Sequence, residues 1–113
     1  NDLLCAMKEE SGLALGSLKV DGGASANSFL MQFQADLSNL LIQRPQCIET
    51  TALGAAYLAG LASSFWKDLG EIQSNWTCER TFSPSISQER RQELLKGWKR
   101  AVRCAMAWAR DED

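Results

Sequence analysis

Hydrophobic positions near the N-terminus follow a helical spacing. Leu3, Leu4 and Met7 recur on one side of a helix, and Gly12 follows them as a residue that readily adopts the left-handed conformation of a helix end. The pattern is already helical at residue 1, with no N-cap segment before it. We therefore expect residues 1–12 to be the tail of a helix and the chain to be a fragment of a longer polypeptide.

A strand, a helix and a second strand follow with short connections. Residues 18–21 have a strand pattern that ends at the glycine pair 22–23, where a tight turn is possible. Apolar residues at three- and four-residue spacing predict an amphipathic helix over residues 27–39 with an apolar face formed by Phe29, Leu30, Phe33 and Leu37. Residues 40–44 predict a second strand, which Pro45 stops. These elements predict a right-handed βαβ unit with parallel strands.

The next predicted helix, over residues 52–62, is apolar on every side. Thr50 or Thr51 can cap its start. Gly54 and Gly60 each cost about 1 kcal/mol of helix propensity relative to alanine, a cost that close packing would offset. We therefore expect this helix to be buried on more than one face.

Residues 65–86 lack a sustained periodicity. They are predicted to be mostly irregular, with an extended piece at Glu79–Phe82 and a turn at Pro84.

The final helix has the clearest periodicity in the chain. Ser87 alone, or Ser85 together with Gln88, can cap its start. Its basic residues fall mainly outside the apolar stripe and are interpreted as a solvated face near a helix C-terminus, where cations suit the dipole. Trp98 and Trp108 are interpreted as core or interface aromatics. The stripe consists of Leu94, Leu95, Trp98, Ala101, Val102, Ala105 and Met106.

Composition limits the function classes. The chain has 113 residues, 45% hydrophobic and 23% charged, which is enough for one modest domain or part of one. Its formal net charge is -2 and its basic residues form no stripe, so nucleic acid is not an expected partner. No apolar run approaches the roughly 20 residues of a membrane span, and no signal sequence is recognisable. We expect no membrane association and a cytoplasmic location.

Cysteine and histidine usage excludes further chemistry. Cys5, Cys47, Cys78 and Cys104 are widely separated, and the chain has no histidine. A zinc site is therefore not expected, and no Ser-His-Asp or Cys-His system can be assembled from this chain alone. The thiols are interpreted as reduced residues that fill a core.

The segment Val20-Asp21-Gly22-Gly23 precedes a helix, and this is where backbone N–H groups can meet an anion or a flat ring. Taken alone the signal is weak, because a glycine pair between a strand and a helix is more often a simple tight turn. Neither the G-x-G-x-x-G nor the G-x-x-x-x-G-K-[ST] pattern is present, so the Rossmann and P-loop interpretations do not fit.

Three longer blocks resemble one family. Residues 20–36 (VDGGASANSFLMQFQAD) closely resemble the adenosine-binding segment of glycerol kinases, which are members of the FGGY carbohydrate kinase family. Residues 44–62 resemble a late helix of the same family, and residues 97–108 resemble its terminal helix. Related xylulokinases usually lack the Met-Gln-Phe-Gln-Ala-Asp run, so the resemblance favours glycerol as substrate.

The resemblance implies the C-terminal part of an actin-like (ribonuclease H-like) ATPase domain of the α/β class, with a βαβ unit and additional helices. Residues 1–113 would be the C-terminal portion of the second kinase domain, on its adenosine-binding side. The first domain and the start of the second would be absent. The implied reaction is Mg²⁺- and ATP-dependent phosphorylation of glycerol to glycerol 3-phosphate, by a full-length enzyme that is a homo-oligomer.

The resemblance assigns few residues. Gly23 matches the glycine whose main chain lies against the nucleotide, and Asn27 matches the asparagine whose amide faces the adenine edge. Gly22 shapes the turn, which completes the ATP-binding set. Asp21 is interpreted as an acceptor that stabilises the turn and not as a magnesium ligand. No catalytic or metal residue is expected here, because the base, the glycerol site and the first phosphate loop of the family precede this segment.

Three alternatives stay open. The parent protein could be another FGGY sugar kinase. The chain could instead be a non-catalytic binding or scaffold module, which would need only the βαβ unit and the last helix. The last helix could also dock a sugar-transport phosphocarrier, as in some bacterial members, although residues 87–96 depart from the pattern of those members.

Overall fold

The computed structural model describes residues 1–109 and has the predicted α/β character. A 3₁₀ helix, Gly23–Ala26, lies between the first strand and the second α-helix. The strands are β1 (Ser17–Lys19), β2 (Leu41–Pro45) and β3 (Cys78–Phe82). The α-helices are α1 (Asp2–Ser11), α2 (Ser28–Ser38), α3 (Thr50–Ala62), α4 (Leu69–Ser74) and α5 (Gln88–Trp108).

The three strands form one sheet in the order β1-β2-β3. β1 and β2 are parallel, with Leu18 opposite Ile42, and α2 connects them, so the predicted βαβ unit is confirmed. β3 is antiparallel to β2, with Phe82 also opposite Ile42. The extended piece predicted at residues 79–82 is therefore the third strand, and β2 is the central one.

A small core lies where α2 packs on the sheet. Its buried side chains are Met31 and Ala35 from α2, Ile42 from β2 and Phe82 from β3, with Leu18 and Val20 partly buried against them. The alternation of strand side chains places Ile42 on the α2 side. The apolar spacing within residues 27–39 therefore predicted the helix but not its buried face, because Phe29, Leu30 and Phe33 are 78%, 40% and 38% exposed.

Polar contacts attach the segment after β3 to α2. Asp36 is 7% exposed, and its Oδ1 accepts hydrogen bonds from the Ser85 N–H at 2.7 Å and from Gln32 Nε2 at 3.1 Å. Gln32 Nε2 also donates to the Ser83 carbonyl at 2.7 Å. Further along, Arg91 Nε donates to the Leu37 carbonyl at 2.8 Å, which positions the start of α5. The bonds of Asp36 and Arg91 are partly buried and are worth more than equivalent surface contacts, whereas the bond between Gln32 and Ser83 is exposed.

α3 corrects two expectations. It was expected to be buried on more than one face, but Gly60 is its one buried residue and Leu58 is 70% exposed. Gly60 is covered because Trp66 folds back over it, and a Cβ at this position would overlap the indole ring. The threonine cap was also wrong, because Thr50 is the first helical residue and its hydroxyl donates to the Asp21 carboxylate instead.

α4 was missed within the segment predicted to be irregular. Asp68 Oδ1 accepts a hydrogen bond from the Glu71 N–H at 3.0 Å, and Glu71 Oε2 accepts from the Lys67 N–H at 2.7 Å. This is close to a capping box, and the sequence Asp-x-x-Glu could have indicated it. With six residues the helix is too short for an apolar period to show.

α5 starts as predicted, because Ser87 Oγ accepts a hydrogen bond from the Arg90 N–H at 3.2 Å. No residue of its apolar stripe is fully buried in the described chain: Leu94, Leu95 and Val102 are half-buried, and Trp98 and Trp108 are 53% and 77% exposed. They are therefore not core residues here, although Trp98 Nε1 donates to Asp2 at 2.9 Å.

The cysteines were also expected in a core, and this was wrong. All four are free and exposed: Cys5, Cys47, Cys78 and Cys104. Among the helices of the described residues, none is both long and apolar enough to cross a bilayer.

Candidate functional site

The turn between β1 and α2 is built around Gly22. Its backbone has φ 78° and ψ 164°, a combination that is nearly restricted to glycine. Its N–H donates to the Ile48 carbonyl at 2.7 Å, and its carbonyl accepts from both the N–H and the hydroxyl of Ser25, at 2.9 and 2.7 Å. Ser25 is 2% exposed. The prediction that Gly22 shapes the turn therefore has a direct structural basis.

Gly23 differs from Gly22. It begins the 3₁₀ helix, its φ is not positive, and a Cβ added to it would meet no atom within 4 Å. Nothing in the described chain requires a glycine at this position. An exposed glycine with free space above it leaves the backbone accessible to a flat ligand.

Asn27 closes the same turn and has a role that sequence reasoning missed. It is the N-cap of α2, and its Oδ1 accepts a hydrogen bond from the Leu30 N–H at 3.1 Å. Its side-chain NH₂ group is left to donate elsewhere. Gly22, Gly23 and Asn27 thus lie in one continuous turn of six residues, which we call the glycine turn (residues 22–27).

Arg44 binds the backbone of the glycine turn, a role that was not predicted from the sequence. Its side chain is 9% exposed, and Nη1 donates to the carbonyls of Ser25 and Ala26 at 2.9 and 3.1 Å. Nε and Nη2 donate to the two carboxylate oxygens of Glu79 at 2.6 and 3.3 Å. One guanidinium therefore joins the turn to both β2 and β3.

The hydrogen bond and the charges around this contact lower the pKa of Glu79. The hydrogen bond from Arg44 is the main cause that lowers the pKa of Glu79 below its ordinary value, and the positive charges of Arg44 and Arg80 add to it while desolvation opposes it. The carboxylate form is therefore the one that the fold favours.

Asp21 and Thr50 hold the other side of the turn. The Thr50 hydroxyl donates to Asp21 Oδ2, which agrees with the interpretation of Asp21 as an acceptor that stabilises the turn. Among residues 1–109, no three Cys, His, Asp or Glu side chains group together as a possible metal centre.

A separate groove of about 720 Å³ lies between α3, α4 and the ends of β1 and β2. Lys19, Thr50, Tyr57 and Trp76 are among the residues that line it, and Lys19 Nζ lies 4.0 Å from the centroid of the Trp76 ring. Gly22, Gly23 and Asn27 do not line it. The glycine turn therefore lies outside this groove.

Solved structures with the same fold define the class. The crystal structure of Plasmodium falciparum glycerol kinase with ADP matches 89% of this chain with a TM-score of 0.73 and 30% identity, over 20% of its own length. Xylulose kinase from Lactobacillus acidophilus matches 80% of the chain with a TM-score of 0.61 and 22% identity. Both support the predicted fold class, a part of an actin-like ATPase domain.

The model of the C-terminal domain of the FGGY family of carbohydrate kinases matches residues 1–63, and the chain belongs to this family. Glycerol kinase from Lachnoclostridium phytofermentans is 66% identical over 110 residues, which is 97% of this chain and 22% of that protein. Glycerol kinase 1 from Clostridium tetani is 58% identical over 111 residues, 98% of this chain and 22% of that protein. The chain thus spans about a fifth of the length of the curated relatives it matches.

Proposed function

We propose that the chain is the C-terminal portion of the second domain of a glycerol kinase and that it binds the adenosine part of ATP. The observation that carries the proposal is the glycine turn, in which Gly23 has an exposed backbone and Asn27, four residues further on, uses its side-chain oxygen as a cap and keeps its NH₂ as a donor. The 66% identity to a glycerol kinase supports this choice of substrate, and the similarity to a glycerol kinase solved with ADP supports the choice of nucleotide.

In this proposal the residues of the chain bind and orient but do no bond chemistry. The backbone at Gly23 lies against the nucleoside, Gly22 fixes the turn, and Asn27 donates to the adenine edge. The base for the glycerol hydroxyl and the groups that hold the β- and γ-phosphates lie in the preceding part of the enzyme. The isolated segment is therefore inactive, while the complete enzyme is cytoplasmic, uses ATP with Mg²⁺ and forms a homo-oligomer.

The test is an assay of the complete protein with ATP and three substrates: glycerol, xylulose and water alone. We expect ATP-dependent formation of glycerol 3-phosphate, much slower turnover of xylulose and little hydrolysis without a substrate. ADP should compete with ATP. A preference for xylulose would show that the parent is another sugar kinase of the family. The absence of both phosphorylation and ADP binding would favour a non-catalytic module.

A further inference from the structure

We propose that Arg44, held in place by Glu79, is a positioning residue for the nucleotide: it sets the shape of the glycine turn without touching the ligand. The inference rests on the proposed function, since it assumes that the glycine turn binds adenosine. Arg44 acts through the backbone of residues 25 and 26, which lie between Gly23 and Asn27.

Arg44 donates hydrogen bonds to the backbone of the glycine turn. Nη1 reaches two consecutive carbonyls, those of Ser25 at 2.9 Å and Ala26 at 3.1 Å, and the Ser28 hydroxyl is 3.4 Å away. These carbonyls lie at the end of the 3₁₀ helix, directly before the N-cap of α2. A single buried donor group therefore fixes how the 3₁₀ helix joins α2, and with it the separation of Gly23 and Asn27.

Glu79 faces Arg44 because of an irregularity in the pairing of β2 and β3. β2 and β3 pair Arg44 with Arg80 and Pro45 with Cys78, so Glu79 is an extra residue at a register shift in β3. A β-bulge of this kind turns a side chain away from the regular alternation of a strand. Here the result is a two-point contact with Nε and Nη2 of Arg44, at 2.6 and 3.3 Å.

All three nitrogen atoms of the Arg44 guanidinium donate hydrogen bonds. Nε and Nη2 face Glu79, Nη1 faces the turn, and the Phe82 ring centroid lies 5.3 Å from Cζ. Lysine carries the same charge but has one nitrogen, so it cannot contact the carboxylate and both carbonyls with this geometry. An arginine is therefore required here for shape and not for charge alone.

The experiment uses the complete protein with the variants Arg44→Lys, Arg44→Ala and Glu79→Gln. Arg90→Ala is the matched control, because it removes an arginine from an exposed ion pair with Glu93 on α5, far along the chain from the turn. For each variant the KM values for ATP and glycerol, kcat and Tm are measured. Hydrogen exchange of the amides of residues 23–27 is followed without nucleotide.

Arg44→Lys should raise the KM for ATP about tenfold, the scale of one lost hydrogen bond to a charged group, with the KM for glycerol unchanged. Glu79→Gln should raise it less, because a neutral amide still accepts one hydrogen bond from Arg44. In both variants the amides of residues 23–27 should exchange faster than in the wild type, whereas Arg90→Ala should match the wild type in every measurement.

Two results would overturn the inference. One is an unchanged KM for ATP in both Arg44→Lys and Glu79→Gln. The other is an equal change in both KM values together with a lower Tm, which would mean that Arg44 only stabilises the fold. If Arg44→Ala fails to fold, the KM values of Arg44→Lys and Glu79→Gln still test the inference. A wild-type protein that neither binds ADP nor phosphorylates glycerol would instead refute the proposed function, and amide exchange at residues 23–27 would report separately on Arg44.

Discussion

The side chain of Asn27 is shared between the fold and the candidate ligand. Its carbonyl oxygen caps α2 at Leu30, and its NH₂ group remains as a potential donor. Substitution with alanine therefore removes two interactions at once, and its effect on ATP cannot be separated from the loss of the cap. Aspartate separates them, because it keeps an oxygen acceptor at the same place and lacks the donor.

We expect Asn27→Asp in the complete protein to raise the KM for ATP about tenfold, consistent with about 1–3 kcal/mol for a polar partner left unmatched, with Tm unchanged. Asn27→Ala should raise this KM similarly and also destabilise α2 by about 1 kcal/mol. Steady-state kinetics and thermal melts measure the two effects. Wild-type kinetics in Asn27→Asp would mean that the amide does not contact ATP.

The two adjacent glycines give a second prediction. Gly22→Ala should destabilise the protein by about 1–3 kcal/mol, because its backbone angles are nearly closed to other residues. Gly23→Ala should leave Tm unchanged, because its φ is not positive and the space above it is free, yet it should weaken ADP binding. Calorimetry and ADP titration of both variants provide the measurement. A lower Tm in Gly23→Ala with unchanged ADP affinity would show that Gly23 serves packing only.

The lowered pKa of Glu79 predicts that its contribution to the stability of the fold depends on pH. Its pKa is lowered in the folded chain, so its contact with Arg44 stabilises the fold above the pKa of an unfolded glutamate, about 4.3, and this contribution is lost as the pH falls through the lower, folded value. We expect Glu79→Gln to lower Tm at pH 7 and to have progressively less effect as the pH is taken below about 4. A difference in Tm that did not shrink in acid would mean that the carboxylate charge is not involved.

Only part of the site could be predicted from the sequence. The position of the turn followed from a glycine pair between a strand and a helix, and the roles of Gly23 and Asn27 in it came from the family resemblance. Arg44 and Glu79 could not be recognised because they are 35 residues apart and meet only through a bulge between β2 and β3. No local pattern encodes that register.

At the scale of elements, the spacing of apolar residues predicted the positions of α1, α2 and α5 and of the two parallel strands. α3 shows the limit of this reasoning. Its apolar character predicted burial on more than one face, and the described residues do not bury it. α4 was missed because its evidence is a capping interaction and not a period.

The helix α3 provides two glycines with opposite surroundings. If the remainder of the proposed domain covers this surface, Gly54→Leu, like Ala55→Leu, will destabilise the complete protein by about 1–3 kcal/mol. Within the described chain, however, a Cβ at Gly54 meets no atom within 4 Å, whereas one at Gly60 overlaps Trp66.

Thermal melts of Gly54→Leu, Gly54→Ala and Gly60→Ala in the complete protein separate the two cases. Gly60→Ala should destabilise regardless of the rest of the enzyme. If α3 were exposed in the complete protein, Gly54→Ala would raise Tm through helix propensity, and Gly54→Leu would not lower it. That outcome would contradict the proposed covering of this helix.

At the scale of the whole molecule, the described chain is extended and has little core. Its radius of gyration is 18.6 Å, whereas a compact domain of this length has about 13 Å. The buried hydrophobic residues are Met31, Ala35, Ile42 and Phe82, while Leu58 and Phe65 are 70% and 75% exposed. Such a surface is typical of an element that packs against other parts of a larger domain.

The edge of the sheet is the second feature at this scale. β1 pairs with β2 on one side, and no strand among residues 1–109 pairs with its other side. An open edge beside exposed apolar helices favours association with another chain. In the proposed enzyme, a strand from the preceding part of the domain would occupy this edge.

These two features predict the behaviour of the isolated 113-residue segment. We expect it to self-associate in analytical ultracentrifugation, to unfold without a sharp cooperative transition in calorimetry, and to bind ADP only weakly. It should form no glycerol 3-phosphate, because the base for the glycerol hydroxyl belongs to the preceding part of the enzyme. Replacing two exposed apolar residues in Leu58→Lys/Phe65→Lys should reduce self-association without restoring cooperative unfolding, since the small core is unchanged. A monomer with a sharp transition would contradict the missing-strand argument and favour an independent binding module, and phosphorylation by the isolated segment would refute the placement of the base.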